Sequence, residues 1–473
     1  MGDAVKYVST RGEAPVLNFS DVLLAGLAED GGLYVPAQWP TLARETIDAF
    51  AGQTYADVAF AVLKPFVEGD IGDVPLRRMI DEAYATFPHP AVAPLVQIAP
   101  NHYVLELFHG PTLAFKDVAM QLLARLMDHV LKERGRRATI VGATSGDTGG
   151  AAIAAFAQSA RCDLFILFPK GRVSPVQQRQ MTTWGVPNVH PIAVEGTFDD
   201  CQALVKTLFN DLPFRRESAL SGVNSINWAR IMAQIVYYFT AAASLGAPHR
   251  KVSFCVPTGN FGDVFAGCAA KRMGLPVERL IVATNENDIL QRTMETGRYE
   301  MRGVAATTSP SMDIEISSNF ERLLFEASGR DAATVRRLMD GLKQSKSFEV
   351  PADMLQVIRA EFDAGRTSQA ETAAIIKETR ETTAYLLDPH TAVGVHVGAA
   401  HEGSTPVVTL GTAHPAKFPD AVEAACGLRP ELPPAHGDLM VRDEVFETMV
   451  NDAAELKRFM RIKSRAITEG AAA

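Results

Sequence analysis

Three stretches of this sequence carry residue types that could do chemistry together. Lys116 stands in the run FHGPTLAFKD at residues 108–117. Its apolar neighbours Phe115 and Leu113 would lower the pKa of the amine by desolvation, as a nucleophilic lysine requires. The runs GATSGDTGG at residues 142–150 and PTGNFGD at residues 257–263 each follow a strand-like segment and open a helix. The backbone amides and dipole at such a helix start favour an anion.

This combination predicts a site for pyridoxal phosphate. The amine can form a Schiff base with an aldehyde, and the two helix starts can hold the cofactor phosphate and the carboxylate of an amino acid. In α/β sheets such loops gather at the carboxyl ends of the strands, so both are expected to face one crevice. Each feature alone has a simpler interpretation: Lys116 as a surface lysine, and the first loop as a capping turn around Ser145 or Asp147.

Short apolar runs that alternate with helical patterns position these motifs. Strands are predicted at residues 138–141, 163–168, 189–194, 252–256, 280–283 and 406–410, and helices at residues 148–160, 175–184, 198–209 and 263–273. The alternation is typical of an α/β fold whose parallel sheets are covered on both faces. Residues 235–247 form the most apolar window, which is too short to span a bilayer and predicts a buried helix. The charged pattern of residues 307–383 predicts helices that cover one side of the core or build a further lobe.

Composition narrows the class of protein. A chain of 473 residues is too long for one ordinary core, and 47% hydrophobic with 21% charged residues is typical of a globular protein. The formal net charge of −9 disfavours nucleic acid or an anionic membrane as the main partner. The five cysteines follow no disulfide or metal-binding pattern, and the first residues lack the apolar stretch of a signal peptide. We therefore expect a cytoplasmic protein without a metal site.

The three motifs and further blocks along the chain resemble the fold-type II pyridoxal-phosphate enzymes, specifically the threonine synthase family. The further blocks are YVSTRG (7–12), DGGLYVP (30–36), NSINWAR (224–230), SSNFER (317–322), DPHTA (388–392) and LGTAHPAKF (410–418). The resemblance spans nearly the whole chain, and the long N-terminal region favours the longer branch of the family, found in fungi and many bacteria.

The resemblance implies an α/β fold of the tryptophan synthase beta type, with two parallel-sheet lobes and an additional N-terminal domain. The expected divisions are an N-terminal domain at residues 1–90, a catalytic domain at residues 91–430 with its smaller lobe at roughly 135–230, and a helical C-terminal segment at residues 431–473.

The resemblance also implies roles for individual residues. Lys116 would carry the cofactor as a Schiff base and act as the catalytic base. The cofactor-binding residues would be Lys116, Gly259, Asn260, Phe261 and Gly262, with the Thr412 hydroxyl against the pyridine nitrogen. The substrate-binding residues would be Thr144, Ser145, Gly146, Asp147, Thr148, Asn227, Arg230, Asn319 and Arg322. Arg322 is the candidate partner of a substrate phosphate.

Several of these residues also have structural interpretations. Asn227 would suit the N-cap of the long apolar helix, and Arg322 an exposed helix position. Asp147 stands where many relatives carry Asn beside the 3′-oxygen of the cofactor. An ionised carboxylate would repel a phenolate there, so either a proton is shared or Asp147 faces elsewhere. His414 and Lys417 are either site residues or ordinary residues at a helix start.

The implied activity is a lyase reaction that converts O-phospho-L-homoserine and water to L-threonine and phosphate, the last step of threonine biosynthesis. It proceeds by pyridoxal-phosphate-dependent γ-elimination and β-hydration. Two alternatives stay open: a related phospho-lyase that yields 2-oxobutyrate, and a non-catalytic relative that binds pyridoxal phosphate. In each case we expect a small-molecule ligand and no nucleic-acid or membrane partner.

Overall fold

The computed structural model describes residues 5–468, so the outer ends of the predicted 1–90 and 431–473 segments lie outside the described residues. The strands are β1 Tyr7–Ser9, β2 Tyr34–Pro36, β3 Leu95–Ala99, β4 His102–Glu106, β5 Ala138–Ala143, β6 Cys162–Pro169, β7 Val189–Glu195, β8 Leu220–Ser221, β9 Val252–Pro257, β10 Val277–Thr284, β11 Arg298–Glu300, β12 Ser347–Glu349, β13 Phe362–Arg366, β14 Val407–Gly411 and β15 Glu447–Val450. The helices are α1 Phe19–Ala25, α2 Arg44–Asp48, α3 Tyr55–Val67, α4 Asp73–Tyr84, α5 Lys116–Glu133, α6 Asp147–Phe156, α7 Pro175–Thr182, α8 Phe198–Asn210, α9 Leu212–Glu217, α10 Trp228–Ser244, α11 Gly262–Arg272, α12 Ile289–Thr296, α13 Phe320–Ala327, α14 Ala332–Ser345, α15 Ala352–Glu361, α16 Gln369–Thr383, α17 Pro389–Ala399, α18 Pro419–Cys426, α19 Ala453–Lys463 and α20 Arg465–Thr468.

Two mainly parallel sheets form the frame. The larger has the order β13-β10-β9-β14-β4-β3 and is parallel except for the β3–β4 pair. The smaller has the order β15-β7-β6-β5-β8 and is parallel throughout. Both β6 and β9 are buried along their whole length, as strands with helices on both faces must be. The predicted α/β class and the six predicted strands are confirmed.

Helix α10 runs through the core and carries one end of the site. Most of its residues are buried, which confirms the prediction from the apolar window. Its first residue, Trp228, packs against Tyr7, Trp39 and Phe66 of the N-terminal region at ring-centroid distances of 6.0, 5.9 and 5.7 Å. Burial of such large rings is strongly stabilising, so the N-terminal region fixes the start of α10.

Two segments differ from or refine the sequence predictions. The C-terminal segment from residue 431 was expected to be helical, but it also contributes β15, which extends the smaller sheet beside β7. Met449 is buried while Val450 is exposed, an alternation typical of an edge strand. Within residues 307–383, β13 pairs with β10, so this segment covers one edge of the larger sheet.

No helix within residues 5–468 is long and apolar enough to cross a membrane.

Candidate active site

Lys116, the first residue of α5, is held by a rigid turn. The amide of Phe115 donates to the carbonyl of Thr412 at 2.8 Å, which ties this turn to the end of β14. Both the amide and the hydroxyl of Thr112 donate to the carboxylate of Asp117 at 2.7 Å. A Cβ on Gly110 would lie 2.5 Å from the Asp117 Cβ, so this close approach requires glycine.

The Lys116 amine lies between one carboxylate and one hydroxyl. Its Nζ is 3.5 Å from Asp147 Oδ2 and 3.3 Å from Ser311 Oγ, and 11% of the side chain is exposed. Burial lowers the pKa of Lys116. The nearby cations of Lys417 and Arg230 lower it further, and Asp147 opposes them. A lowered pKa increases the share of free amine, which is the form that attacks a carbonyl group.

Asp147, the first residue of α6, has a fixed carboxylate. Its Oδ1 lies 2.9 Å from Lys417 Nζ and accepts from Gln177 Nε2 at 2.9 Å, while its Oδ2 accepts from Ser311 Oγ at 3.0 Å. Burial alone would raise the pKa of this carboxyl, but the ammonium groups of Lys417 and Lys116 outweigh burial and hold the pKa well below its usual value. Asp147 therefore faces two lysines as an anion, and it needs no shared proton to be accommodated there.

The first glycine loop, residues 144–148, is built around the Thr144 side chain. Its Oγ1 accepts from the amides of Gly146 and Gly149, each at 2.9 Å. Gly146 has φ +140°, and a Cβ there would lie 2.4 Å from the Gln177 side chain, so only glycine fits. The amides of Ser145, Asp147 and Thr148 have no acceptor among the described residues. They are therefore free to bind an anion at the start of α6.

The second glycine loop, residues 258–262, is held by Thr258 and Asp263. The Thr258 hydroxyl donates to Asp263 Oδ1 at 2.6 Å and accepts from the Phe261 amide at 3.2 Å. Phe261 adopts the left-handed conformation with φ 63°. Burial raises the pKa of Asp263 to about 6. Three amides of this loop have no acceptor within residues 5–468, namely those of Gly259, Asn260 and Gly262.

Ser311 connects the two loops. It lies in a 3₁₀ turn, Pro310–Met312, and its hydroxyl contacts the Lys116 and Asp147 side chains as described above. Its carbonyl oxygen would lie 3.2 Å from a Cβ on Gly259 in the second loop. The Ser311 amide donates to His390 Nε2 at 3.2 Å, and the other ring nitrogen of His390 lies 2.9 Å from Asp388. The buried pair of His390 and Asp388 thus holds the turn in place.

The Thr412 hydroxyl is buried without a hydrogen-bond partner in the described part of the chain. Its backbone is fixed, because its amide donates to Thr391 Oγ1 at 3.1 Å and its carbonyl accepts from Phe115. Buried polar atoms are rarely left unpaired, and one that is left so in a preformed pocket needs an explanation such as a ligand.

Arg230 supplies a buried cation with unused donors. It is 3% exposed, its Nη1 donates to the Val223 carbonyl at 3.2 Å, and its Nε has no partner among the described residues. Burial lowers the pKa of Arg230 to about 10, so the group remains protonated at neutral pH. A buried cation with a spare donor near the Lys116 amine suits an anionic group such as a phosphate.

Arg322 donates mainly to protein acceptors, and the expectation that it pairs with a substrate phosphate stays a prediction. It is fully buried rather than on an exposed helix face. Its Nε and Nη2 donate to the Tyr34 carbonyl at 3.1 and 3.0 Å, Nη2 also donates to the Ile226 carbonyl at 2.7 Å, and Nη1 contacts the Asn319 side chain. Its donors are used to bind the N-terminal region to the start of α10.

Asn227 and Asn319 form hydrogen bonds with backbone groups around the site. Asn227 is the N-cap of α10, since its Oδ1 accepts from the Ala229 amide at 3.0 Å, and its Nδ2 donates to the Leu23 carbonyl at 3.0 Å. Asn319 donates to the Asn260 carbonyl at 3.0 Å, which supports the second loop. Both contacts position backbone, and the N-cap alternative for Asn227 describes what the structure shows.

Two residues at the centre of the site were not predicted from the sequence. Ser311 falls within residues 307–383, whose charged pattern predicted helices, and nothing in that pattern distinguishes it as a site residue. Gln177 is the third residue of α7, where it completes a capping box with Ser174, and that pattern conceals its second contact with Asp147. Lys417, which had two alternative interpretations, belongs to the site through Asp147.

Comparison with known proteins agrees with this geometry. The family models "Threonine synthase N terminus", "Pyridoxal-phosphate dependent enzyme" and "Threonine synthase, C-terminal" match residues 6–84, 87–412 and 391–460. The threonine synthase of Pseudomonas aeruginosa is 54% identical over 461 residues, covering 96% of this chain and 98% of that protein.

Solved structures give the same result. The crystal structure of threonine synthase with bound pyridoxal phosphate from Brucella melitensis has a TM-score of 0.96 at 65% identity, covering 98% of this chain and all of that one. The yeast threonine synthase structure has a TM-score of 0.93 at 38% identity and covers 99% of this chain. The chain belongs to the threonine synthase family of pyridoxal-phosphate-dependent enzymes.

Proposed function

We propose that the protein converts O-phospho-L-homoserine and water to L-threonine and phosphate, the last step of threonine biosynthesis. The observation that carries this proposal is the Lys116 amine, set between Asp147 and Ser311 where two loops with free amides meet. The cofactor and this substrate together bring three anionic groups: the cofactor phosphate, the substrate carboxylate and the substrate phosphate. The site offers three receptors, two loops and the Arg230 guanidinium.

The residues present fit pyridoxal phosphate. When bound, the cofactor supplies an aldehyde carbon for a lysine amine and a conjugated ring that takes up negative charge from the substrate. We assign the aldehyde to Lys116 and the ring nitrogen to the unpartnered Thr412 hydroxyl. The phosphate is assigned to the second loop, through Gly259, Asn260, Phe261 and Gly262. Glycine at two of these positions permits close backbone approach, and the start of α11 favours the negative charge.

We assign the substrate carboxylate to the first loop. The amides of Ser145, Asp147 and Thr148 are unpaired and converge at the start of α6. Thr144 and Gly146 shape the loop rather than contact the ligand, because the Thr144 hydroxyl is already occupied by two amides. A preformed receptor of this kind requires little reorganisation on binding.

We assign the substrate phosphate to Arg230 rather than Arg322. Arg230 has an Nε without a partner among the described residues, whereas four of the five N–H groups of Arg322 are directed at protein acceptors. The guanidinium stays protonated and offers paired N–H groups to phosphate oxygens. In this assignment Asn227 and Asn319 hold the backbone around the phosphate instead of touching it.

We assign proton transfer to Lys116. Its free amine is the group that takes a proton from the substrate and returns it, and burial lowers the pKa of Lys116, which favours that form. Ser311 Oγ lies 3.3 Å from the amine and 3.0 Å from Asp147 Oδ2, so it connects the two side chains and helps to orient the amine. The aromatic face of Phe115, 5.3 Å from Nζ, shields the amine from water.

A product assay tests the proposal. The protein loaded with pyridoxal phosphate is incubated with O-phospho-L-homoserine, and phosphate, threonine and 2-oxobutyrate are quantified. We expect phosphate and threonine in equal amounts, and neither product from Lys116→Ala. Phosphate accompanied by 2-oxobutyrate would instead indicate a phospho-lyase, and the absence of phosphate release would indicate a non-catalytic relative.

Substitution of Arg230 separates the two possible phosphate assignments. For Arg230→Met we expect a KM for phosphohomoserine raised by at least about tenfold, since a charge-assisted contact contributes roughly 1.5–3 kcal/mol. Retention of the cofactor should be unaffected. Loss of the cofactor with an unchanged KM would place Arg230 at the cofactor phosphate instead.

We also propose the setting in which the protein works. The acidic balance of the chain supports a small-molecule substrate without a nucleic-acid partner. All five cysteines are free, four of them buried, which supports a reducing compartment such as the cytoplasm. We keep the division at residues 1–90, 91–430 and 431–473 as a proposal for the units of the chain.

A further inference from the structure

Lys417 is a buried ammonium held by three protein oxygens. It ends a 3₁₀ turn, Pro415–Lys417, after β14, and its side chain has no exposed surface. Its Nζ donates to the Thr112 carbonyl at 2.6 Å and to Gln180 Oε1 at 2.9 Å, and it forms an ion pair with Asp147 Oδ1 at 2.9 Å. Two hydrogen bonds and one ion pair thus fix this ammonium inside the protein.

The position of Lys417 requires a carboxylate at residue 147. An ammonium removed from water is costly unless an opposite charge compensates it. Within residues 5–468, Asp147 is the carboxylate in contact with Lys417. An amide at position 147 could accept a hydrogen bond but would leave the charge of Lys417 unpaired.

The same contact fixes the second oxygen of Asp147. Because Lys417 and Gln177 hold Oδ1, the carboxylate cannot rotate freely, and Oδ2 stays directed at Ser311 Oγ and Lys116 Nζ. We propose that Lys417 is a positioning residue which holds Asp147 as an oriented carboxylate, and that Asp147, with Ser311, thereby keeps a proton on the Lys116 nitrogen. This inference rests on the proposed function, in which Lys116 carries the cofactor.

The charged groups around the Lys116 nitrogen come from several elements. They are Asp147 on α6, Lys417 after β14, Arg230 on α10 and Asp263 on α11; the imidazole of His390 on α17 is a further titratable group near Asp147. Asp147 is the anion in contact with the nitrogen, at 3.5 Å, and Lys417 is the cation in contact with that anion. These two are therefore the groups whose removal should change the proton affinity of the nitrogen most directly.

The test is a pH titration of the visible absorbance of the cofactor bound to the intact protein. Asp147→Asn removes the anion, so the midpoint for loss of the proton should fall by at least about one pH unit. Lys417→Met leaves Asp147 with Lys116 as its sole cation in contact, so the midpoint should rise. The double variant should lie between the two. Lys170→Met, which breaks an exposed pair with Glu195, is the matched control and should leave the midpoint unchanged.

A second readout uses the protein without cofactor. Asp147→Asn leaves Lys417 without a counterion, and Lys417→Met leaves Asp147 with the more distant Lys116 alone. Both should lower the melting temperature, whereas the double variant should recover most of the loss. If Lys417→Met does not accumulate as folded protein, the double variant decides the question, because its midpoint should exceed that of Asp147→Asn.

The outcomes separate this inference from the proposed function. Unchanged midpoints in the Asp147 and Lys417 variants, with absorbance abolished by Lys116→Ala, would overturn the inference and leave the function standing. Absorbance retained by Lys116→Ala would instead overturn the assignment of Lys116 itself.

Discussion

The two glycine loops place an aspartate at the same point, in the first turn of the helix that follows, yet the two carboxyl groups behave in opposite ways. Asp147 lies against two lysines, and its pKa is held well below the usual value. Asp263 is equally buried, but its nearest partners are Thr258 and the Val264 amide, and burial raises its pKa to about 6. Similar loops can therefore carry different electrostatics.

The different pKa values of Asp147 and Asp263 suit the two loops to different roles. The first loop combines free amides with a permanent carboxylate that faces the Lys116 nitrogen. The second loop turns its carboxyl inward, where it accepts a hydrogen bond from Thr258, and three of its amides have no acceptor within residues 5–468. In the function proposed above, the first loop faces the reacting nitrogen and the second loop holds the cofactor phosphate.

Replacing each aspartate with asparagine should separate the loops most strongly. Asp147→Asn leaves Lys417 buried without a counterion, and we expect a loss of about 3–5 kcal/mol in the free energy of unfolding. Asp263→Asn retains an acceptor for Thr258 and Val264, so a change below about 1 kcal/mol is expected at neutral pH. Urea unfolding of the cofactor-free proteins measures both, and equal losses would contradict the distinction.

Alanine at one glycine of each loop should give the next largest difference. Gly146→Ala combines an unfavourable φ of +140° with a Cβ 2.4 Å from Gln177, and we expect a loss of about 3 kcal/mol. At Gly262 a Cβ would meet Ile231 at 3.3 Å, so the loss should stay below about 1 kcal/mol. The same unfolding experiment compares them, and a tolerated Gly146→Ala would show that the first loop is not rigid.

Asp263 should leave a signature in the pH dependence of stability. Its folded pKa of about 6 lies above the ordinary value of 3.8, so the folded state binds the proton more tightly. The resulting stabilisation is present below about pH 4 and is lost as the pH rises through about 6, by about 3 kcal/mol in total. Unfolding free energies of the unsubstituted protein and Asp263→Asn, compared from pH 4 to 7, should diverge by this amount. Parallel curves would contradict the assigned environment.

The smallest effect on stability is expected at Thr412. Thr412→Val removes a buried hydroxyl that has no protein partner, so the cofactor-free protein should lose less than about 1 kcal/mol or become slightly more stable. Cofactor binding should weaken by several-fold, which equilibrium dialysis can measure. If the free energies of unfolding and of cofactor binding fell by equal amounts, the Thr412 hydroxyl would stabilise the fold and not the cofactor specifically.

The sequence was sufficient for features that depend on local pattern. Buried strands such as β6 and β9 are continuous apolar runs, and the two loops are visible because glycines follow those runs directly. The lysine in its apolar turn was equally apparent. Residues that are adjacent in the sequence determine these features, so they can be predicted from the sequence.

The contacts between distant segments could not be predicted in this way. Lys116, Asp147, Ser311 and Lys417 come from four separate parts of the chain, and their meeting depends on how the two sheets and the intervening turn pack. Arg322 was expected either at a substrate phosphate or on an exposed helix face. It is buried and donates to the Tyr34 and Ile226 carbonyls, which excludes the exposed position. Strand β15 was missed because its alternating pattern is only four residues long.

The central claim is that Lys116 carries the cofactor while the neighbouring buried lysine, Lys417, only positions Asp147. Borohydride reduction of the protein loaded with pyridoxal phosphate, followed by peptide mass mapping, tests this most directly. We predict one reduced adduct, on the peptide that contains Lys116, and none on the peptide that contains Lys417. An adduct on Lys417, or on any other lysine in preference to Lys116, would contradict it.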